Sequence, residues 1–124
     1  MSGGEPRIVV VEDDASMSKA IERLLRIAGF TTTTFASAED ALRADAASTA
    51  DCLIVDVQLP GMSGFEFYRA VAVSGITLPV LFITAHDAPV FRAEADKLRS
   101  SSYFPKPFSG RALVDAVRQS LQSP

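Results

Sequence analysis

Apolar residues along this chain follow two alternating rhythms. Continuous apolar, mostly β-branched runs occur at Ile8–Val11, Cys52–Val55 and Pro79–Ile83, as expected of strands buried on both faces. Thr31–Phe35 is rich in strand formers, and Tyr103-Phe104 makes a shorter run. Between these runs the period becomes helical. Met17, Ile21, Leu24, Leu25 and Ala28 recur at helix spacing, and Gly29 supplies a stop. Ser37, with Asp40 three residues on, predicts a capped short helix from Ala38 to about Ala46. The Pro60-Gly61 turn leads into a helix from about Phe65 to Val73, closed by Gly75. Pro89 suits the first turn of a helix reaching about Leu98. Ser109 caps a last helix that turns Leu113, Val114, Val117 and Leu121 inward. Met1–Pro6 reads as a loose polar lead-in.

Strand and helix alternate five times with no repeat, low-complexity tract or linker, so residues 1–124 read as one domain. Right-handed crossovers between parallel strands cover both sheet faces with helices. The expected fold is therefore α/β, a five-stranded parallel doubly wound sheet in the flavodoxin-like order 2-1-3-4-5. That order makes the first and third strands neighbours and brings Glu12, Asp13 and Asp56 together. The order 3-2-1-4-5 separates them and leaves the acidic cluster unexplained.

Composition narrows the partners. With 124 residues, 48% of them apolar, the chain can bury roughly two thirds of its unfolded surface in one core. A formal net charge of −3 argues against direct nucleic-acid binding, which wants a basic face. No apolar run approaches bilayer length, and no signal-peptide pattern opens the chain, so no membrane partner is expected. A single cysteine, Cys52, fits a reducing cytoplasm and reads as a small buried hydrophobe.

Polar signatures follow the apolar runs: Glu12-Asp13-Asp14, Asp56, Thr84 and Lys106-Pro107. In an open α/β sheet the carboxyl ends of the strands form the ligand-binding rim. Asp13 and Asp56 there can ligate Mg2+ (or Mn2+) directly, the Gln58 backbone carbonyl can add a ligand, and Glu12 can hold a metal-bound water. Without a cation these acids repel and hold protons more tightly. Asp14 by itself suits a helix N-cap. Asp56 is also a candidate nucleophile, able to become an aspartyl phosphate. Lys106 would neutralise phosphoryl oxygens and Thr84 would donate a hydrogen bond to one.

These residues together resemble the receiver domain of two-component response regulators, from about Arg7 to Leu121. The matching segments are Val10-Val11-Glu12-Asp13, Asp56-Val57-Gln58-Leu59-Pro60-Gly61-Met62-Ser63-Gly64, Ile83-Thr84-Ala85 and Lys106-Pro107-Phe108. The resemblance implies phosphoryl transfer to Asp56 from a sensor histidine kinase or a histidine phosphotransfer protein. It implies an acid pair at Glu12 and Asp13, a switch hydroxyl at Thr84, a phosphate-binding Lys106 and a cis Lys106-Pro107 bond. Tyr103 matches the switch aromatic that turns inward as Thr84 moves, reshaping the surface of the fourth helix, fifth strand and last helix for a downstream target or output domain. The only catalysis implied is the domain's own phosphotransfer and autodephosphorylation.

The chain also departs from the family. Where most receivers carry Gly-Ala before the fifth strand, it has Arg99-Ser100, which removes an easy left-handed stop and predicts an irregular end to the fourth helix. Pro105 suits only an edge strand. His86, the sole histidine, reads as an exposed polar neighbour of the site, and the Gln58 side chain as a modulator of phosphate hydrolysis. Two other functions compete. A haloacid-dehalogenase-like phosphatase would want an acid where Gln58 stands, and a cap domain. A receiver-like scaffold would signal through protein contacts without phosphorylation. No segment resembles a DNA-binding or catalytic output domain.

Overall fold

The computed structural model describes residues 5–122. In chain order the strands are β1 (Arg7–Val11), β2 (Thr31–Phe35), β3 (Cys52–Asp56), β4 (Val80–Thr84) and β5 (Ser102–Pro105). The helices are α1 (Ala15–Ile27), α2 (Ala38–Arg43), α3 (Gly64–Val73), α4 (Pro89–Lys97) and α5 (Gly110–Gln122). All strand pairs are parallel and the order is β2-β1-β3-β4-β5, as expected. β5 is an edge, which accommodates Pro105 at its end.

Strand alternation divides the interior in two. Val9, Val11, Leu53, Val55, Val80 and Phe82 face one cluster with Phe65, Phe67, Val71 and Ala95. Ile8, Val10, Cys52, Ile54, Leu81 and Ile83 face the other, with Ile21, Leu25, Leu113 and Val117. Each of the three central strands feeds both clusters because successive side chains leave opposite faces. Their unbroken apolar runs follow directly.

Several boundaries differ from expectation. α2 stops at Arg43, short of Ala46, because Asp45 turns left-handed (φ 52°) and a 3-10 turn over Ala46–Thr49 takes its place. Near the end of α5, Ser120 is buried alongside Leu113, Val114 and Val117, and Leu121 only partly so. The Ser120 hydroxyl is satisfied by donating to the Val117 carbonyl and lies 3.5 Å from Cys52 Sγ. Cys52 is fully buried, and that burial pushes its thiol up to about 11. Of the lead-in, Met1–Gly4 lies outside the described residues. Pro6 is already tied to the sheet, its carbonyl accepting from the Thr31 N–H at 3.0 Å.

The end of α4 is regular, contrary to expectation. Arg99 itself adopts the left-handed conformation (φ 57°). Its N–H donates to the Asp96 carbonyl and the Ser100 N–H to the Ala95 carbonyl, both at 3.0 Å, completing a Schellman closure. Gly29 and Gly75 end α1 and α3 with the same bond pattern at φ 98° and 94°. Among the described residues no helix is long and apolar enough to cross a membrane.

Candidate functional site

Asp56 and Thr84 are the last residues of β3 and β4, not the first beyond them. The ladder continues past each: the Val57 N–H donates to the Ile83 carbonyl at 2.8 Å, and the Lys106 N–H to the Thr84 carbonyl at 2.7 Å. Asp56 registers with Ile83, one residue before Thr84, so both side chains reach the same rim. β1 delivers Glu12 and Asp13 beside Asp56 because Val11 registers with Val55. Asp14 is the α1 N-cap, accepting from the Ser16 and Met17 N–H groups at 2.9 and 3.1 Å.

The three acids meet. Carboxylate oxygens of Glu12, Asp13 and Asp56 all lie within 4.8 Å of one another. Glu12 and Asp56 are only 2% and 4% exposed, while Asp13 is open to solvent. An all-oxygen set with one open side suits a hard divalent cation that keeps several waters. Lys106 Nζ lies 2.7 Å from Glu12 Oε1 and 3.1 Å from Asp56 Oδ2, bridging the two buried acids. The other Glu12 oxygen accepts from the Asp14 N–H at 3.1 Å, and Asp56 Oδ1 accepts from the Gln58 N–H at 3.0 Å. The Lys106-Pro107 bond is cis.

Burial raises the Glu12 carboxyl to about 7, with the Lys106 ammonium pulling it down and Asp56 pushing it up. Desolvation thus outweighs the mutual repulsion expected from the sequence. Lys106 is shifted upward by its two acid partners, against its own burial.

Gly64 marks how closely α3 meets the site, since a Cβ there would overlap the Asp56 carbonyl oxygen. The Gln58 side chain and His86 are both exposed, and His86 stacks edge-on against Phe91. The Thr84 hydroxyl is fully buried and engaged locally, donating to the His86 carbonyl at 3.0 Å and accepting from the His86 N–H at 3.1 Å. Tyr103 is half-buried, and its hydroxyl donates to Asp87 Oδ1 at 3.0 Å. Arg92 grips the same carboxylate through two bonds of 3.1 and 3.0 Å and lies 4.8 Å from the Tyr103 ring centroid.

Asp87, Arg92 and Glu39 therefore belong to the neighbourhood of the site, though no local motif marks them. Asp87 and Arg92 straddle the start of α4, and only the β4–β5 pairing brings Tyr103 to them. Glu39 touches a loop 23 residues further along the chain. Acids in a first helical turn ordinarily signal only a helix start.

Known proteins resemble this chain in sequence and in fold. A family model described as "Response regulator receiver domain" matches residues 8–118. Nodulation protein W of Bradyrhizobium diazoefficiens is 36% identical over 110 residues, covering 89% of this chain and 48% of that protein. The DNA-binding transcriptional regulator NtrC of Escherichia coli is 35% identical over 112 residues, 90% of this chain and 24% of its own length. The chain thus spans half or less of both relatives. The crystal structure of a response regulator receiver protein from Burkholderia phymatum is 39% identical, with a TM-score of 0.84 over 97% of this chain and 98% of that one. With the family model matching residues 8–118 and the likeness in sequence and fold running along nearly its whole length, the chain belongs to the response regulator receiver domain family, the signalling modules of two-component systems.

Proposed function

We propose that this domain accepts a phosphoryl group on Asp56 from the phosphohistidine of a sensor histidine kinase or histidine phosphotransfer protein. The observation that carries this reading is Lys106, whose ammonium bridges Glu12 and Asp56 beside the open carboxylate of Asp13. An Asp56 carboxylate oxygen attacks phosphorus, the P–N bond breaks, and the imidazole leaves with its electron pair and takes a proton. Such a transfer depends on positioning and charge neutralisation. Asp13, Asp56 and the Gln58 carbonyl, with Glu12 acting through water, would hold Mg2+ (or Mn2+), which when bound would neutralise charge on the phosphoryl oxygens. Lys106, already within hydrogen-bond reach of Asp56, moves to the incoming phosphoryl group. Glu12 gives up its bond to Lys106 in that move.

Thr84 must give up its bonds to His86 to reach a phosphoryl oxygen. Tyr103 must leave Asp87 and Arg92 to turn inward. Together these moves alter the α4, β5 and α5 face, which signals to a downstream target or output domain. The names of several relatives as transcriptional regulators support an output of that kind. Residues 1–124 act as one phosphoacceptor unit, located in the cytoplasm with its kinase.

Incubation with acetyl phosphate and Mg2+ tests the reading. One alkali-labile phosphate, absent from Asp56→Asn, is expected by intact-mass spectrometry. An unlabelled wild-type protein would support the scaffold, and steady phosphate release from small esters the phosphatase.

A further inference from the structure

Residues 57–63 connect β3 to α3 and carry Gln58. At its base this loop is well anchored. Val57 N–H bonds to Ile83, Gln58 N–H to the Asp56 side chain, and Gly64 N–H to the Val57 carbonyl. Ser63 and Glu66 close a capping box at the far end. The tip, Leu59–Met62, makes a single hydrogen bond to another element among the described residues. The Met62 N–H donates to Glu39 Oε2 at 2.8 Å. Gly61 (φ 75°) presses its backbone against the same carboxylate, so that a Cβ there would overlap Oε2. Glu39 stands in the first turn of α2 and is partly buried.

We infer that Glu39 is a positioning residue for the cation site: by tethering the loop tip to α2 it steadies the loop on which Gln58, bonded through its N–H to Asp56 Oδ1, offers its carbonyl. The inference rests on the metal reading proposed above. A backbone ligand has no side-chain torsion with which to correct its aim, so its accuracy depends on what holds the loop. Groups hydrogen-bonded directly to metal ligands typically affect metal affinity by about 10- to 100-fold, and Glu39 acts one step further out, through Met62, so the lower end applies. The tether needs an acceptor oxygen and not a charge, and this separates it from a long-range electrostatic effect of the same acid.

Titration with Mg2+ alone, followed by amide NMR shifts on folded protein, tests the tether. Glu39→Ala is expected to weaken Mg2+ binding about 10-fold and to speed hydrogen exchange at Met62. Glu39→Gln keeps an acceptor for Met62 and is expected to stay within about twofold of wild type. Equal affinity in all three proteins overturns the tether. Equal weakening in both variants also overturns it, because charge alone would then explain the loss. Gly61→Ala, which sets a Cβ against the carboxylate and strains the backbone at φ 75°, gives a second arm if Glu39→Ala fails to fold; faster hydrogen exchange at Met62 with unchanged Mg2+ affinity there overturns the inference as well. If wild type takes up no Mg2+, the metal reading itself fails and the tether goes with it; Mg2+ uptake lost in Asp13→Asn establishes that reading separately.

Discussion

Tyr103 shows how a single side chain can be held by its neighbours. Its hydroxyl and its ring face are both engaged, by Asp87 and Arg92 respectively. Burial and then the Asp87 bond raise the Tyr103 phenol, while the Arg92 bonds hold the Asp87 carboxyl low. Turning inward therefore costs this three-membered contact, a modest amount because Asp87 and Arg92 are exposed. Asp87→Ala is expected to lower the beryllofluoride midpoint in Mg2+ by about two- to fivefold, read from the aromatic NMR signals of Tyr103. An unchanged midpoint would show that the contact does not oppose the move. The sequence reveals one kind of residue here and hides the other. Asp13, Asp56, Thr84 and Lys106 are legible because each follows an apolar run; the fold then gathers Asp13, Asp56 and Lys106, while Thr84 ends the neighbouring strand on the same rim. Asp87, Arg92 and Glu39 act across loops whose course no periodicity describes.

Among the elements, helix endings are the most instructive. Gly29, Gly75 and Arg99 occupy the same closing position, and only Arg99 has a Cβ to crowd the left-handed conformation. The missing glycine predicts an irregular end to α4. The hydrogen bonds of the closure form regardless, so the substitution appears as local strain instead of lost structure. Arg99→Gly is expected to stabilise the domain by about 0.5–1 kcal/mol, raising its melting temperature by about 2–6 °C in a thermal scan. A lower melting temperature would mean that the arginine side chain contributes more than its backbone costs. α2 is shorter than its sequence predicts for a related reason. Its composition permits more helix, but Asp45 tolerates a left-handed turn and ends it early. β2, with its run of threonines, was located to the residue, because strand propensity and edge exposure agree there.

For the whole molecule, the burial of Glu12 opposes folding at neutral pH. Glu12 titrates near 7 in the folded chain, against an ordinary 4.5 for an unfolded glutamate. The folded state therefore binds the proton more tightly. Its stabilising effect is complete below about pH 4.5 and is lost as pH rises through about 7. Glu66 and Asp87 have lowered values and work in the opposite sense, but their contributions are already in place above pH 4.5. With metal chelated, urea unfolding should give a lower free energy at pH 7.5 than at pH 5.5, and Glu12→Gln should flatten that difference. A wild-type profile that rises across this interval would contradict the burial of Glu12 as described.

The sheet has a further consequence for the history of such a chain. Because each central strand sends alternate residues to separate apolar clusters, the sheet works as a partition wall. A repacking beneath α1 and α5 need not be matched beneath α3 and α4. Descendants can thus refit one storey of the building for new companions while the tenants of the other remain undisturbed.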